Sequence, residues 1–545
     1  MQETDSEATA EPMSPPPPSS VVYPKRRAFF TAIFLAPGAG LVASLMAAML
    51  MLLLRLLAGL PTPVELFGDF LLKHIDVGTF LRLLITFSPN SKTAPLGLAL
   101  LGMIALGTVL SLPYAAIVRV QLPAKGYRPG RREWLTALAF GLVMTLAGVL
   151  LFWDELRQNF YGLPTNPARL TSAVGLLADF SFYAVVLCLA YRALLPKYSV
   201  AGSSDAVVAK RRLLLSRAGV AALSVGGLAG TAGLVRDYLS NYSSYDGMKT
   251  ATHNRVTSPI TPNAEHYVVT QNPVDPTPNI DLWRLEVTGL IKNAATYTFS
   301  QVQELPSTSR AITLECIANG RGDHLIGTAI WQGVTLRSLL ERQGGVQSAA
   351  RYVAFSSVDG YNMSLPLNEV LMADPLLAWR MNGAELPMRH GYPMRVLIPG
   401  RYGEENPKWL TRVELTDHFV GGLYSDQGWY NGPLQTMSRI DHPRDQVAVR
   451  QAVEVGGIAF AGNRGIQKVE VSVDGGLTWH TATLQPPLSQ DTWVMWSWQW
   501  TPTQTGAYTL FCRATDGTGA VQTSRLRSTV PNGTTGYHQV PIQVV

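Results

Sequence analysis

The first 236 residues contain five long apolar segments, and the residues after them show the shorter alternation of a soluble protein. Acidic and basic residues are absent from four of the segments, and the fifth contains only Asp179. The segments are residues 28–54, 93–118, 134–153, 170–191 and 218–235. Because a helix of about 20 apolar residues crosses a bilayer, the pattern predicts a five-helix transmembrane domain over residues 28–236.

Three segments flank or interrupt this domain. Residues 1–27 are acidic and Ser-rich with a run of prolines, which predicts a disordered cytoplasmic tail. Residues 61–92 are amphipathic and carry several charges, so we expect this stretch to lie along the outer membrane interface rather than to cross it. Residues 237–265 are polar and predict a linker.

The basic residues are distributed unevenly between the loops. Before the first helix and in the loops after the second and fourth helices lie Lys25, Arg26, Arg27, Arg119, Lys125, Arg128, Arg131, Arg132, Arg192, Lys197, Lys210, Arg211 and Arg212. The opposite side has Arg55, Lys73, Arg82, Lys92, Arg157 and Arg169. The positive-inside rule therefore predicts a cytoplasmic N-terminus and an extracytoplasmic soluble half. The net charge of +6 then reflects membrane topology and does not indicate nucleic-acid binding.

Lys210-Arg211-Arg212 stands directly before the fifth apolar segment, which is rich in Gly and Ala. The arrangement resembles an internal twin-arginine export signal, although the usual leading Ser or Thr and the Phe are missing. Folded export would indicate a cofactor inserted in the cytoplasm. A plain basic anchor obeying the positive-inside rule explains the same residues, and both interpretations stay open.

The soluble half divides by pattern into two parts. Residues 266–440 mix strand and helix patterns, which predicts an α+β domain. Residues 441–545 alternate like short strands with turn signals between them, and we expect hairpins at Asp474-Gly475-Gly476 and at Asp516-Gly517. Such strands over about 100 residues predict an immunoglobulin-like β-sandwich.

Only three cysteines occur, Cys188, Cys316 and Cys512, so the chain is not a disulfide scaffold. A Cys316–Cys512 bridge has no support from spacing. Cys316 follows a short β pattern and opens a loop, ECIANGRG, where a thiolate would suit a high-valent metal with sulfur neighbours. The alternative is a buried core cysteine.

A second constellation follows in RHGYPMRVLIPGRYGEENPKWL. It places His390, Arg395 and Lys408 near turns of one predicted strand pair. Arginine and lysine there would suit a phosphate. A solvated basic loop is the alternative.

Taken in order, Cys316, WQGVTL, VDGYNMSLP, LAWRMNGAELPMRHGYPMR, PGRY and KWL resemble the sulfite oxidase family of molybdenum enzymes. The resemblance covers roughly residues 265–545, including VSVDGGLTW and RATDGTG. It implies a molybdenum–molybdopterin cofactor, with two-electron oxygen-atom transfer at the metal.

The resemblance also implies a set of site residues. Cys316 would ligate molybdenum, and Tyr430 and Arg321 would act in catalysis. The implied cofactor-binding residues are Asn272, Cys316, Asp359, His390, Arg395, Asn406 and Lys408.

One position departs from the family. The resemblance places Thr270 where sulfite oxidases have an arginine that helps hold sulfite, unless Arg321 or Arg401 compensates. Relatives without that arginine, such as the periplasmic methionine-sulfoxide reductase catalytic subunit, reduce neutral S- or N-oxides. Sulfite oxidation and oxide reduction both remain open.

The electron partner is expected to be external, a cytochrome or a quinone. The chain has no CxxCH motif and too few cysteines for an iron–sulfur cluster, so neither c-type haem nor such a cluster is expected. Asp179 is a candidate for proton or quinone chemistry, against a carboxyl that is protonated or hydrogen-bonded within the bundle. A homodimer and a non-catalytic, membrane-anchored binding protein are further alternatives.

Overall fold

The computed structural model describes residues 24–86, 93–197, 204–240, 257–270, 272 and 275–545. The predicted tail up to residue 23 and most of the predicted linker lie outside these residues. The chain forms two compact units. The first comprises residues 1–52, 100–147 and 177–234, and the second comprises residues 53–99, 148–176 and 235–545.

The described residues before 241 are mainly helical. The helices are α1 (Lys25–Ala58), α2 (Pro63–His74), α3 (Val77–Thr86), α4 (Thr93–Val118), α5 (Arg131–Leu151), α6 (Thr165–Leu194) and α7 (Ser204–Ser240). Five of them, α1, α4, α5, α6 and α7, contain stretches long and apolar enough to cross a membrane. The five predicted apolar helices are thus confirmed.

Small residues bring helices close together in the first unit. A Cβ atom at Gly40 of α1 would lie 2.7 Å from the carbonyl oxygen of Thr108 in α4, and one at Gly141 of α5 would lie 3.3 Å from Ser181 in α6. Such contacts are typical of helices that pack in membranes. Asp179 in α6 is buried, and its Oδ1 has no hydrogen-bond partner within the described ranges.

The amphipathic stretch forms the two short helices α2 and α3 in the second unit. Thr62 starts α2 through a capping box, in which Glu65 bonds back to the Thr62 N–H at 2.8 Å. Asp76 accepts from the N–H groups of Gly78 and Thr79 at 2.8 and 3.1 Å, and these bonds support the turn into α3. The sequence predicted one stretch, and the structure divides it at Ile75 and Asp76.

The predicted α+β region contains two sheets. Its strands are β1 (Leu285–Gly289), β2 (Ala295–Tyr297), β3 (Thr308–Glu315), β4 (Ile326–Thr335), β5 (Tyr352–Ser357), β6 (Asn362–Pro366), β7 (Leu376–Met381), β8 (Ala384–Glu385), β9 (Arg395–Leu397) and β10 (Leu410–Thr416). Its helices are α8 (Phe299–Gln303), α9 (Leu336–Arg342), α10 (Leu367–Ala373) and α11 (Leu423–Asp426). One sheet has the order β2-β1-β10-β5-β6, with β1 and β10 parallel. The other has the order β3-β4-β7-β8, with β9 also pairing with β7.

Two apolar clusters support these sheets. The larger one includes the buried rings of Trp283, Phe355 and Trp409. The smaller one surrounds Trp331 and contains Cys316. The candidate ligand therefore sits at the edge of a packed core rather than in a loose surface loop.

The C-terminal region consists of two four-stranded antiparallel sheets. Its strands are β11 (Met437–His442), β12 (Val453–Phe460), β13 (Ile466–Ser472), β14 (His480–Thr481), β15 (Thr483–Leu484), β16 (Val494–Trp500), β17 (Gly506–Asp516) and β18 (His538–Val544). The sheet orders are β11-β12-β16-β15 and β14-β13-β17-β18. Val455 and Trp496 from one sheet and Val469 and Leu510 from the other share one core. The prediction of a β-rich C-terminal region is confirmed.

Both predicted hairpin turns form. The turn at Asp474 joins β13 to its antiparallel partner β14, as predicted. At Asp516-Gly517 the chain also turns back on itself, with an antiparallel bridge between Thr515 and Val521 and with the Asp516 N–H donating to the Ala520 carbonyl at 3.0 Å. β17 also pairs along its length with β13 and β18, which are distant in sequence, and local turn chemistry does not reveal that pairing.

Candidate cofactor site

Cys316 lies directly after β3, at the start of a tightly held loop. Its N–H donates to the Leu325 carbonyl at 2.9 Å, and its carbonyl accepts from the Asn319 N–H at 2.8 Å. The Asn319 side chain is buried, donates to Glu315 at 3.0 Å and accepts from the Leu325 N–H at 3.0 Å. The backbone of the loop at Cys316 is therefore held in place. All three cysteines are free, so the Cys316–Cys512 bridge is absent.

The thiol of Cys316 is enclosed. The residue is 7% exposed. Burial raises the pKa of Cys316 to about 12, and the nearby carboxyls of Glu404 and Glu315 add to the rise. A bare thiolate is therefore unfavourable here, and a bound metal cation would be needed to stabilise it.

Three predicted cofactor-binding residues converge around Gly391. Arg395, on β9, donates to the His390 carbonyl at 3.0 Å, and Lys408 donates to the Arg389 carbonyl at 3.2 Å. Gly391 has φ +115°, and a Cβ atom there would lie 3.0 Å from the Cβ atoms of Arg395 and Lys408. Glycine is thus required at this turn, because both residues pack closely against it and the backbone is left-handed.

Arg395 is a buried cation without a carboxylate partner among the described residues. Its guanidinium also donates to the Asn406 carbonyl at 3.3 Å and lies 5.1 Å from the Trp331 ring. Its Nε has no partner within the described ranges, and burial lowers the pKa of Arg395 to about 10. A buried guanidinium with an open donor fits the phosphate of a pterin cofactor.

His390 lies beside this cation and is held in a neutral form. Its Nε2 lies 3.1 Å from the Asn263 carbonyl, and its ring meets the His266 ring edge-on at 5.3 Å. Burial, followed by His266 and Arg395, lowers the pKa of His390 far below its ordinary value. A neutral imidazole offers one donor and one acceptor and adds no charge to the pocket.

Asp359 and Asn272 meet at another part of the site. The Asn272 amide donates to the Asp359 Oδ2 at 2.6 Å, and the Tyr361 N–H donates to Oδ1 at 3.2 Å. Burial raises the pKa of Asp359, and these hydrogen bonds oppose the rise. The predicted pair is therefore brought together by the turn between β5 and β6.

The side chain of Asn406 stabilises the backbone of its own loop. Its Oδ1 accepts from the Ile398 N–H at 2.6 Å, and its Nδ2 donates to the Tyr402 carbonyl at 2.6 Å. Both polar atoms are thereby used by the backbone of the loop between β9 and β10. Its predicted cofactor contact stays a prediction.

The two predicted catalytic residues other than Cys316 lie in different surroundings. Tyr430 lies 6.4 Å from the Tyr402 ring, donates to the Pro433 carbonyl at 3.0 Å and lines a cavity of about 20 Å³, room for about one water. Arg321 is exposed, and its guanidinium donates to the Thr535 carbonyl at 3.0 Å in the C-terminal region.

Glu404, a charged residue near Cys316, did not emerge as a site residue from the sequence. Glu404 lines the same cavity as Tyr430, and both of its carboxyl oxygens are enclosed without a hydrogen-bond partner within the described ranges. Burial raises the pKa of Glu404 well above its ordinary value. The only feature of the sequence that could have indicated Glu404 is the pair of acidic residues between PGRY and KW.

Arg401 is held by two carboxylates. It forms ion pairs with Glu369 and, at 3.2 Å, with Glu405. The side chain is buried, so the pairs neutralise its charge locally. The sequence offered Arg401 as a replacement for the family arginine, and its ion pairs instead give it a structural role.

The C-terminal region packs directly behind Cys316. The Thr313 N–H of β3 donates to the Asp491 carbonyl at 3.0 Å, and the Trp493 N–H donates to the Thr313 hydroxyl at 2.9 Å. Arg439 pairs with Asp441 at 2.6 Å and donates to the Asp323 carbonyl at 2.7 Å. The strand that carries the candidate ligand is thus supported from both regions.

Comparisons with known proteins agree with this geometry. Residues 272–424 match the family model of the oxidoreductase molybdopterin binding domain, and residues 432–545 match that of the Mo-co oxidoreductase dimerisation domain.

Curated relatives include mitochondrial sulfite oxidase of Rattus norvegicus, 30% identical over 52% of this chain and 62% of that protein. Inducible NADH nitrate reductase 1 of Glycine max is 28% identical over 44% of this chain and 34% of that protein. This chain thus spans between about a third and two thirds of these relatives.

Among solved structures, the sulfane dehydrogenase SoxCD of Paracoccus pantotrophus is 25% identical and covers 49% of this chain and 76% of its own, with a TM-score of 0.45.

Proposed function

We propose, from the premise that the chain belongs to the sulfite oxidase family of molybdopterin-dependent oxidoreductases, that it is a membrane-anchored, extracytoplasmic enzyme of oxygen-atom transfer. Its substrate would be a small S-oxide, N-oxide or oxyanion. The observation that carries the proposal is the convergence of His390, Arg395 and Lys408 on one glycine turn, with a buried Cys316 thiol in the same domain.

The residues present fit the implied cofactor. Cys316 would supply the protein's sulfur ligand, and Arg395 and Lys408 would hold the phosphate. Asn272, Asp359 and His390 would meet the pterin by hydrogen bonds. Once bound, the molybdenum–pterin group supplies the two-electron exchange of an oxygen atom.

The charges around Cys316 favour a neutral substrate. The neutral Thr270 stands at the family's arginine position, Arg401 is neutralised by Glu369 and Glu405, and Arg321 bonds to Thr535. Glu404 adds no positive charge in either protonation state. An oxyanion would therefore lack a charge-assisted partner from these positions, which costs about 1.5–3 kcal/mol per lost bond.

Reduction of a neutral oxide is therefore the preferred direction. One sulfoxide, two electrons and two protons give one sulfide and one water, as the S–O bond breaks. The electrons would come from an external cytochrome or quinone. Oxidation of sulfite, the reaction in the name of the rat relative, is the second candidate function.

A substrate screen on the full-length protein in detergent tests this choice. Dye-linked assays would compare sulfite oxidation with reduction of dimethyl sulfoxide, methionine sulfoxide and trimethylamine N-oxide, with Cys316→Ala as the matched control. We expect Cys316-dependent reduction of a neutral oxide. A kcat/KM for sulfite above that for every oxide would contradict the charge argument.

The arrangement in the cell is part of the proposal. Residues 28–236 would form the membrane domain with the N-terminus in the cytoplasm, residues 266–440 the cofactor domain, and residues 441–545 an immunoglobulin-like sandwich. The five apolar helices and the basic loops support this topology. The match of residues 432–545 to a dimerisation domain supports a homodimer.

A non-catalytic binding protein remains the alternative of another class. Such a protein would have no reason to keep a buried guanidinium with an open donor beside Lys408. Absence of molybdenum from purified protein would favour this alternative.

A further inference from the structure

Segments between the apolar helices lie directly against the cofactor domain within the second unit. We call α2, α3 and the turn of residues 155–162 the outer collar. Its backbone contacts are specific. The Asn159 N–H donates to the Val358 carbonyl at 3.3 Å, and the Tyr161 carbonyl accepts from the Asn279 N–H at 2.9 Å. At its other side, the Gln427 side chain donates to the Leu72 carbonyl at 2.9 Å.

Gln158 of the collar contacts the turn that carries the predicted cofactor residue Asp359. It is 3% exposed. A Cβ atom at Gly360, where φ is +77°, would lie 2.5 Å from the Gln158 Cγ and 2.6 Å from its Cδ. The glutamine side chain therefore lies flat on the turn that carries Asp359, the partner of Asn272.

The collar holds Gln158 in place. The Gln158 Nε2 donates to the Asp69 Oδ2 of α2 at 2.7 Å, and Lys73 of α2 pairs with the buried Glu155 at 2.6 Å. The Gln158 Oε1 is buried and has no partner within the described ranges, so Asp69 alone sets the orientation of the amide. A buried amide held by one strong hydrogen bond is a rigid support for the turn at Gly360, which packs against it.

We propose that Gln158 is a positioning residue for the Asp359 turn, and that the outer collar thereby forms a supporting wall of the molybdopterin pocket. The inference rests on the proposed function. It means that the part of the chain between the apolar helices serves cofactor retention as well as anchoring. The cofactor domain alone, without the collar, would lose the contact beneath Asp359.

The first test compares Gln158→Ala with Asp154→Ala in full-length, cofactor-loaded protein. Asp154 belongs to the same region, and its side chain is 73% exposed and pairs only at 3.7 Å with Arg169. Gln158→Ala should release molybdenum and pterin roughly tenfold faster than wild type, a loss of about 1.4 kcal/mol in cofactor binding, because the turn that carries Asp359 loses the side chain packed against it. Asp154→Ala should release them at the wild-type rate.

Thermal unfolding separates positioning from simple destabilisation. A bound cofactor raises the melting temperature, and the rise grows with the logarithm of its affinity. For a residue with a purely structural role, substitution lowers the melting temperature of loaded and cofactor-free protein equally. Gln158→Ala should instead shrink the difference between the two forms.

A double variant tests the contact itself. Gly360→Ala should speed cofactor release because its methyl group would overlap Gln158, and a left-handed backbone disfavours Ala. In the Gln158→Ala background the overlap disappears. The two effects should therefore be clearly less than additive.

The outcomes are distinct from failure of the proposed function. Wild-type protein without molybdenum would refute the function itself. Loaded wild-type protein, with Gln158→Ala releasing cofactor at the rate of Asp154→Ala and with additive double-variant effects, would overturn the inference. Faster release with an unchanged loaded-to-free melting difference would also overturn it.

Discussion

Arg395 provides the sharpest prediction, because its replacement should affect cofactor retention far more than the stability of the cofactor-free protein. Its guanidinium donates to two backbone carbonyls, those of His390 and Asn406, and lies against Trp331. These contacts are offset by the cost of burying a cation that has no carboxylate beside it among the described residues. The same burial lowers the pKa of Arg395 to about 10.

Replacing Arg395 by Met removes both effects. The lost hydrogen bonds cost about 1–3 kcal/mol each, and relief of an uncompensated buried charge returns a few kcal/mol. In the cofactor-free protein these contributions nearly cancel, so the melting temperature should change by only a few degrees. In the loaded protein the phosphate loses its charge-assisted partner, worth about 1.5–3 kcal/mol, or roughly 10- to 150-fold in retention.

The assay measures molybdenum per chain and the melting temperature of loaded and cofactor-free protein, with Arg395→Lys as the charge-preserving control. Lysine keeps the charge and loses the fork geometry, so its retention should fall between those of wild type and Arg395→Met. An Arg395→Met protein that keeps its molybdenum but melts far below wild type in both forms would show that Arg395 is only structural.

Further predictions concern the ligand, the glycine turn, an ion pair and pH. Cys316→Ala should abolish turnover while the protein stays folded, as checked by circular dichroism, and an active variant would refute the ligand assignment. Gly391→Ala should lower stability by about 1–3 kcal/mol, because φ +115° and the 3.0 Å approaches to Arg395 and Lys408 leave no room for a methyl group; a wild-type melting temperature would contradict this. Arg401→Gln should lower the stability of the folded protein by about 3–5 kcal/mol, because it leaves the buried Glu405 unpaired. The ratio of sulfite to sulfoxide activity should stay unchanged. A shifted ratio would place Arg401 in the substrate pocket. Burial raises the pKa of Asp69 to about 7, so the folded state holds a proton that the unfolded state loses above its ordinary pKa of 3.8. Stability from this group is full below about pH 4 and is lost as pH rises towards 7, and Asp69→Asn should flatten the melting temperature over that window.

Structural features that depend on residues close together in the chain could be predicted from the sequence. Apolar runs without charges predicted the five long helices, because a bilayer sets their length and composition. The turn at Asp474 predicted its hairpin, because two adjacent strands share the turn. Cys316, His390 and Arg395 could be named as site residues because the ordered motifs around them resemble those of the sulfite oxidase family.

Features that depend on distant contacts could not be predicted. Gln158 meets Gly360 across about 200 residues, and no periodicity in either segment indicates the contact. The ion pairs of Arg401 and the use of Asn406 by the backbone appear only once the loop between β9 and β10 is folded. Glu404 was missed because acidic residues in loops are ordinarily solvated, and only packing encloses this one.

The central claim is that Cys316 and its cationic neighbours hold a molybdenum–pterin group, and metal analysis of the purified full-length protein tests it most directly. Elemental analysis should find near-stoichiometric molybdenum, with the pterin released on denaturation. Protein that is folded and expressed with an intact molybdenum-cofactor supply, yet contains neither, would contradict the account.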